Sequence, residues 1–312
     1  PYLIKLLSSA PLSDHLTYYF YGIFAEKGDN GKTIIEDAWI NHDNVFDTGI
    51  SMMLGQFQIS DLMFSRETRM TFQDFMAYRM AGITYDRGVI FSRNVGALAV
   101  AVGAVNGNGI EQNFAVNSAG FSRPDHLFDN DSGKTLYSRL GTNIGPVSVG
   151  VFGLTGKQKS ADNIADPTGI NTGTRKTTKQ VIGIDVSGVA QDNIYWFAQA
   201  LWNQWDAFLD TDPNRNYKWF GGFAGVDYIY NDRWAYSLLY NYADAQDFKG
   251  TRTIYEGISI NSLTLSTAYY FMRNVKGVIE VNLDFLSKDN DADFVGHKTK
   301  ENALLVGFDL AF

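Results

Sequence analysis

The chain has 312 residues but no cysteine, only 6 prolines and only 4 histidines. Without cysteine it cannot form a disulfide, a cysteine-ligated zinc site or a thioether-linked haem. Basic residues are in the minority, because 26 Lys and Arg stand against 34 Asp and Glu, for a formal net charge of −8. A nucleic-acid-binding protein normally carries a basic face. We therefore expect no nucleic-acid partner and no bound cofactor.

Long apolar runs are absent as well. No stretch reaches the ~18 consecutive apolar residues that a membrane-spanning helix requires. The longest candidate, residues 95–105, is interrupted by Gly96 and Gly103. This excludes a helical membrane protein. It does not exclude a transmembrane β-barrel, whose strands need only ~10 residues of alternating polarity.

Such alternation is present in many segments. The last twelve residues place apolar side chains at every second position, namely Leu304, Val306, Phe308, Leu310 and Phe312. Residues 275–285 alternate in the same way, and their polar face carries Lys276, Glu280, Asn282 and Asp284. A period of two predicts strands with two different environments. Burying four such polar groups in a dry core would be costly, whereas a barrel with a wet interior and an apolar exterior accommodates them.

The same pattern predicts about fifteen strands along the chain. They are expected near residues 2–8, 15–26, 33–42, 48–58, 82–93, 95–107, 134–144, 146–157, 176–189, 193–203, 217–230, 233–243, 254–271, 275–286 and 301–312. Short turns alternate strictly with long polar loops, as in outer-membrane barrels with tight periplasmic turns and larger outer loops. The sequence therefore predicts an all-β fold, a single transmembrane antiparallel barrel over residues 1–312, in the outer membrane of a Gram-negative bacterium and in contact with its lipid.

Loop parity also predicts the strand number. Counted back from a periplasmic C terminus, the strand that begins at Tyr2 runs inward, so we expect a further strand upstream of Pro1. That strand would bring the total to about sixteen, an even number as in single-chain bacterial barrels.

Aromatic residues cluster near the ends of the predicted strands. Amphipathic rings favour the headgroup level of a bilayer, so these clusters are interpreted as two girdles, with a packed aromatic core as the alternative. The residues concerned are 18–21, 195–197, Trp202, Trp205, Trp219, Phe220, Tyr228, Tyr230, Trp234 and 269–271.

One connection differs from the other loops. Residues 58–81 contain Met, Phe and Leu among charged residues, and Phe72, Phe75, Met76 and Arg79 fall at near-helical spacing. A long loop with apolar anchors of its own is usually functional. We expect it to fold into the barrel and narrow the pore, anchored by Phe64, Phe72 and Phe75, with a lid over the rim as the alternative.

The charges of this segment would then set selectivity. The expected constriction residues are Arg66, Glu67, Arg69, Asp74 and Arg79. The expected lumen wall carries Arg139, Asp227, Lys276, Glu280 and Asp284. We expect Glu280 and Asp284 to face the segment from the opposite wall, which would create a transverse field. Because the local balance is near neutral, weak ion selectivity is expected.

A family resemblance appears in the first ~110 residues. Residues 52–75, with Leu-Gly-Gln-Phe at 54–57, Ser-Arg at 65–66 and Thr-Phe at 71–72, resemble a stretch of the phosphate-selective porin O and P family. The sequence LSDHLTYYF at 12–20 and AVNGNG at 104–109 resemble that family in the same order. The resemblance implies a sixteen-stranded channel, usually a homotrimer. The family's anion-selective members line the pore with many Arg and Lys, whereas acidic residues predominate here.

Three functions remain open. The first is a porin for passive diffusion of small hydrophilic solutes or ions. The second is a barrel sheath around, or fused to, a cytochrome partner in an electron conduit across the outer membrane. The third is an outer-membrane enzyme, which we do not expect because no catalytic constellation is visible. No metal site is expected either, since the acids at Asp289, Asp291 and Asp293 have Ca²⁺-ligand spacing but lack the Gly and Glu of a complete loop.

Overall fold

The chain folds into one large antiparallel sheet. The computed structural model describes residues 3–26, 34–65, 68–83, 85–107, 133–160, 175–207, 209–210, 212–244, 247, 259–285, 291–292, 297–298 and 302–311. The strands are β1 (Leu3–Pro11), β2 (Leu16–Glu26), β3 (Ile34–His42), β4 (Ser51–Gln58), β5 (Tyr85–Val95), β6 (Leu98–Val105), β7 (Thr135–Ile144), β8 (Val147–Lys159), β9 (Lys176–Ala190), β10 (Ile194–Asp206), β11 (Asn216–Ile229), β12 (Trp234–Asp244), β13 (Ser259–Met272), β14 (Val275–Asp284), β15 (Asp291–Ala292), β16 (His297–Lys298) and β17 (Ala303–Leu310). One helix, α1 (Met76–Ala81), and two 3-10 turns, Val45–Asp47 and Ile59–Leu62, complete the described elements.

The strand order follows the chain. Strands β1 to β14 pair with their sequence neighbours, β17 pairs with β14, and the two-residue strands β15 and β16 form a separate hairpin. Every long strand coincides with a predicted one to within a few residues, so the all-β, antiparallel barrel architecture is confirmed. In the described residues β1 and β17 are the two ends of this order and share no ladder. The strand expected before Pro1 stays a prediction.

The connections alternate in length along the sheet. Tight turns join β5 to β6, β7 to β8 and β13 to β14, and the longer connections lie at the opposite ends of the strands. Gly96 and Gly145 occupy two of these tight turns with φ of +61° and +60°, a backbone region that glycine enters without steric cost. Among the described residues, no helix is long and apolar enough to cross a lipid bilayer.

The two faces of the sheet have opposite character. On the outer face large apolar side chains are exposed, as in Leu304, Val306 and Phe308, with exposed fractions of 69%, 66% and 69%. On the inner face polar side chains are covered, as in Glu280 and Asn282 at 2% each. An exposed apolar outer face combined with a polar interior is the arrangement of a barrel in lipid.

The assignment of all aromatic clusters to girdles is wrong in part. Trp202, Phe220 and Trp234 face outward, but Phe197, Trp205 and Trp219 are buried on the inner face. The physical reason is the pleat, because adjacent residues of a strand point to opposite faces. A run of consecutive aromatic residues is therefore divided between the girdle and the interior.

Candidate functional site

The 58–81 segment lies against the inner face of the sheet. It leaves β4 through the 3-10 turn Ile59–Leu62 and ends in α1, just before β5. The expected helical stretch is shorter than its spacing suggested, since Phe72 and Phe75 precede α1 and only residues 76–81 are helical. A six-residue helix is too short to be stable alone. Its position therefore depends on contacts with the barrel wall.

Aromatic packing supplies one set of these contacts. The Phe75 ring stacks on Phe223 of β11, with centroids 4.2 Å apart and an interplanar angle of 11°. Phe64 contacts Phe197 of β10 and Phe223 at centroid distances of 5.5 and 5.8 Å. Phe72 packs on a second cluster formed by inner-face residues of β12, β13 and β14. The three phenylalanines expected to anchor the segment all contact the inner face.

Hydrogen bonds to the segment's backbone supply the second set. The Glu280 carboxylate accepts from the backbone N–H of Phe72 and of Gln73, each at 2.7 Å. The Asn241 side chain accepts from the N–H of Met76 at 3.1 Å and donates to the carbonyl of Asp74 at 3.0 Å. Glu280 and Asn241 belong to β14 and β12. These two side chains complete backbone groups that would otherwise be buried without partners.

Strands β9 and β10 hold the other end of the segment. The Lys179 ammonium donates to the carbonyl of Gly82 at 3.0 Å. The Tyr78 hydroxyl donates to the side-chain carbonyl of Gln199, whose amide lies 2.5 Å from the sulfur of Met63. Burial raises the pKa of Tyr78 well above its ordinary value of 10.0, and the Asp185 carboxylate adds to the effect. The phenol therefore keeps its proton and remains a hydrogen-bond donor.

Of the five charged residues expected at the constriction, the structure describes the side chains of Arg69 and Asp74. Arg69 pairs with Asp74 within the segment, and its guanidinium lies 5.5 Å from the centroid of the Phe75 ring. Arg66 and Glu67 lie outside the described residues. Arg79 belongs to α1, but its side chain lies outside the described part.

The opposed-wall arrangement is wrong for Glu280. Its carboxylate binds the segment directly rather than facing it across an open channel. The physical reason is that two unpaired backbone N–H groups recruit a buried carboxylate more strongly than a distant charge does. The Glu280 carboxylate and the segment therefore do not face each other across the channel, and no transverse electric field arises between them.

Arg139, Asp227, Lys276 and Asp284 lie on the inner face of the sheet. Arg139 forms a two-point ion pair with Asp185 of β9, with nitrogen–oxygen distances of 2.5 and 3.2 Å. Asp227 accepts from the Ser237 hydroxyl at 2.5 Å. Lys276 lies 3.2 Å from Asp309 of β17. Asp284 is buried at the end of β14. Arg139 and Lys276 are thus each paired with an acid, whereas Asp227 is bonded to a hydroxyl group.

The acids proposed as weak Ca²⁺ ligands cannot be assessed together. Asp289 and Asp293 lie outside the described residues, and of Asp291 only the backbone, in β15, is described. Within the described ranges no group of three or more His, Asp or Glu side chains is placed to hold a metal ion.

The inner face also encloses a feature that the sequence did not reveal. An open cavity of about 350 Å³ lies beside the segment, between Leu62 and Arg139, and is lined by residues of β4 to β7. Asn241, Gln199 and Lys179 were likewise not singled out as site residues. Their only signal in the sequence is a polar residue at an inner-face position of an otherwise alternating strand.

Comparisons with known proteins agree on the fold. No protein-family model and no curated protein matches the chain. The anion-selective porin of Comamonas acidovorans is similar at a TM-score of 0.63 and 11% identity, over 99% of this chain and 89% of the porin. OmpF of Salmonella typhi in complex with daunomycin gives 0.61 and 12%, over 98% and 89%. A trimer form of OmpT, an outer membrane protein of Vibrio cholerae, gives 0.57 and 13%, over 97% and 87%.

These likenesses and the geometry define the architecture. The chain has the barrel fold of outer-membrane proteins, including porins. Its apolar outer face matches the hydrocarbon layer, and along the shared ladders from β1 to β17 the strands satisfy one another's backbone groups, as a span through lipid requires. The chain has the fold of Gram-negative outer-membrane barrels.

Proposed function

We propose that the protein is a porin, a water-filled channel for passive diffusion of small hydrophilic solutes or ions across the outer membrane. One observation carries this proposal. Strands β9 to β14 hold the 58–81 segment on the inner face, while β4 to β7 leave a cavity with several polar side chains open beside it. A segment fixed in this way narrows the channel without filling it, which is how a barrel of this size becomes size-selective.

Conductance across a planar bilayer tests the proposal. Purified, refolded protein is expected to produce discrete, voltage-independent current steps at low potential. Liposomes containing the protein are expected to swell in small sugars and to swell progressively more slowly as the sugar size increases. A barrel that inserts but never conducts, and never admits a sugar, would refute a diffusion channel.

Selectivity follows from the charge balance of the segment and the wall. Arg69 is paired with Asp74, and Arg139 with Asp185, so neither arginine adds net charge to the channel. We expect a reversal potential close to zero under a KCl gradient. Kinship with the phosphate-selective porin O and P family is proposed only for the first ~110 residues, without its anion preference. Strong anion selectivity that vanishes in Arg66→Ala/Arg69→Ala would contradict this.

We also propose a homotrimer. The support is the fold likeness to a protein whose solved structure is described as a trimer form. Chemical crosslinking in native outer membranes, followed by electrophoresis, is expected to give a ladder that stops at three subunits.

The packing inside the barrel argues against the alternative function, a sheath around a cytochrome. The segment and the aromatic cluster around Phe223 occupy the β9 to β14 side of the interior, which leaves little room for a folded haem protein. A haem stain of the purified complex would test this. We further propose that the chain is not an enzyme, since its buried acids are engaged in structural contacts such as that of Glu280 with the segment.

A further inference from the structure

The cavity beside the 58–81 segment has a defined polar wall. Ser51, Ser92, Ala101 and Arg139 are register partners across β4, β5, β6 and β7, so they form one row along the inner face. Leu62 of the segment closes the opposite side. The volume, about 350 Å³, is at the lower end of the range of small-molecule sites, roughly 300–1,000 Å³.

The Arg139–Asp185 ion pair occupies room that two glycines leave in the wall. A Cβ atom added to Gly150 would lie 2.5 Å from Nη2 of Arg139 and 2.5 Å from Oδ2 of Asp185, and one added to Gly141 would lie 2.7 Å from Nη1. The ion pair therefore lies over two glycines. The Asp185 carboxylate accepts hydrogen bonds from Nε and Nη2 of Arg139. Within the described residues, Nη1 of Arg139 makes no hydrogen bond. Arg139 lines the cavity, and Nη1 is the nitrogen that remains to donate to a ligand there.

The cavity has other polar side chains that keep hydrogen-bonding capacity for a ligand. The Ser51 hydroxyl donates to Asn41 at 2.8 Å and keeps its lone pairs. Ser92 and Asn94 line the cavity and make no side-chain hydrogen bond to the rest of the described chain. Arg93 also contributes, but its side chain is exposed at the rim, where water screens its charge.

This chemistry selects among ligands. An anion approaching Nη1 would meet the Asp185 carboxylate, which already neutralises Arg139. A neutral hydroxylated solute would instead accept from Nη1 and exchange hydrogen bonds with Ser92 and Asn94, while Leu62 contacts its C–H face. We infer that this cavity is a binding subsite for small neutral polyhydroxylated solutes of the sugar or polyol class. The inference rests on the proposed channel function, which it makes more specific.

Single-channel recording with maltose as the probe tests the subsite. Maltose added to one side is expected to interrupt the current in a saturable, concentration-dependent manner. Ala101→Leu fills the cavity while both residues of the ion pair are retained, and Arg139→Gln removes the donor group Nη1. Each should weaken the apparent maltose affinity about tenfold or more, the equivalent of about one well-made hydrogen bond. Val102→Leu, on the outer face next to Ala101, is the matched control and should leave the affinity unchanged.

The outcomes separate the two proposals. A channel that conducts ions but is not interrupted by maltose, or is interrupted equally in Ala101→Leu, overturns the subsite and leaves the porin intact. Interruption by gluconate at concentrations where maltose has no effect overturns the neutral-solute class. If Arg139→Gln fails to fold because Asp185 is left without its cation, Ala101→Leu decides alone. A barrel with neither conductance nor sugar uptake overturns both proposals.

Discussion

Glu280 illustrates how a charged side chain acts structurally in this interior. Both of its oxygens accept from the segment's backbone, at Phe72 and Gln73, and it is almost fully covered. A carboxylate that accepts two backbone N–H groups is a strong acceptor, because charge-assisted hydrogen bonds are roughly twice as strong as neutral ones. Glu280 therefore fixes the position of the 58–81 segment and does not select ions directly.

Glu280→Ala is expected to loosen the segment. The substitution leaves two covered N–H groups without partners, at about 1–3 kcal/mol each, so the middle of the segment should detach from β14. Single-channel conductance and current noise should both rise, and Glu280→Gln, which keeps one acceptor oxygen, should give an intermediate effect. Asp227→Asn is the matched control, since Asp227 binds Ser237 and not the segment. Unchanged conductance in Glu280→Ala would show that the segment does not depend on this contact.

The positions of individual contacts explain what the sequence could and could not predict. Alternation places Glu280 on the inner face because the strand's own residues carry that information. The hydrogen bond from Gln73 joins residues 207 positions apart, and no local pattern encodes such a pairing. The same holds for Phe223, whose stacking on Phe75 depends on where the segment enters the barrel. Composition identified the segment and its phenylalanine anchors, and only the assembled wall identifies the residues that they contact.

Among the strands, β8 separates the requirements of the two faces most clearly. Gly150 lies on the inner face below the Arg139–Asp185 pair, whereas a Cβ at Gly153 would meet nothing within 4 Å. The same residue type in one strand therefore serves close approach at one position and carries no steric requirement at the other. Alternation assigns the two glycines to opposite faces, but it does not show that the inner one lies under an ion pair.

Gly150→Ala and Gly153→Ala form a matched pair. The first is expected to displace the ion pair and lower the free energy of unfolding by about 1–3 kcal/mol, the usual range for overpacking. The second is expected to change it by less than about 0.5 kcal/mol, as for substitutions away from packed features. Guanidinium unfolding monitored by tryptophan fluorescence measures both. Equal effects in the two variants would mean that the glycines do not differ in packing.

At the scale of the whole molecule, one sheet separates two environments, lipid at its apolar outer face and a polar interior at its inner face. Leu265 of β13 lies on the outer face between Leu238 and Val281, while the inner-face residues next to it are Thr264 and Ser266. Because a residue's face follows from its parity, the barrel's relation to the membrane was predictable from the sequence. The same parity divides the aromatic residues, so Trp205 and Trp219 point inward while Trp202 and Phe220 point outward.

Leu265→Arg tests the outer face as a lipid-facing surface. A guanidinium near the bilayer midplane is expected to cost about 2–4 kcal/mol of folding stability. Leu265→Ala, which removes the same apolar side chain without adding charge, should cost much less in phosphatidylcholine vesicles. Unfolding titrations in vesicles and in detergent compare the two environments. An equal cost for Arg and Ala in vesicles would place residue 265 away from the hydrocarbon.

The hydrogen bonds from β9, β12 and β14 reach the segment mainly through its main chain, at Phe72, Gln73, Asp74, Met76 and Gly82. Main-chain atoms are common to every amino acid, so these contacts do not restrict which side chain the segment presents at those positions. Substitutions at exposed residues of the segment, such as Asp61 and Thr68, can alter what the channel admits while these hydrogen bonds persist. Divergence of solute preference among descendants of this chain, or its redesign in the laboratory, therefore requires no change of architecture.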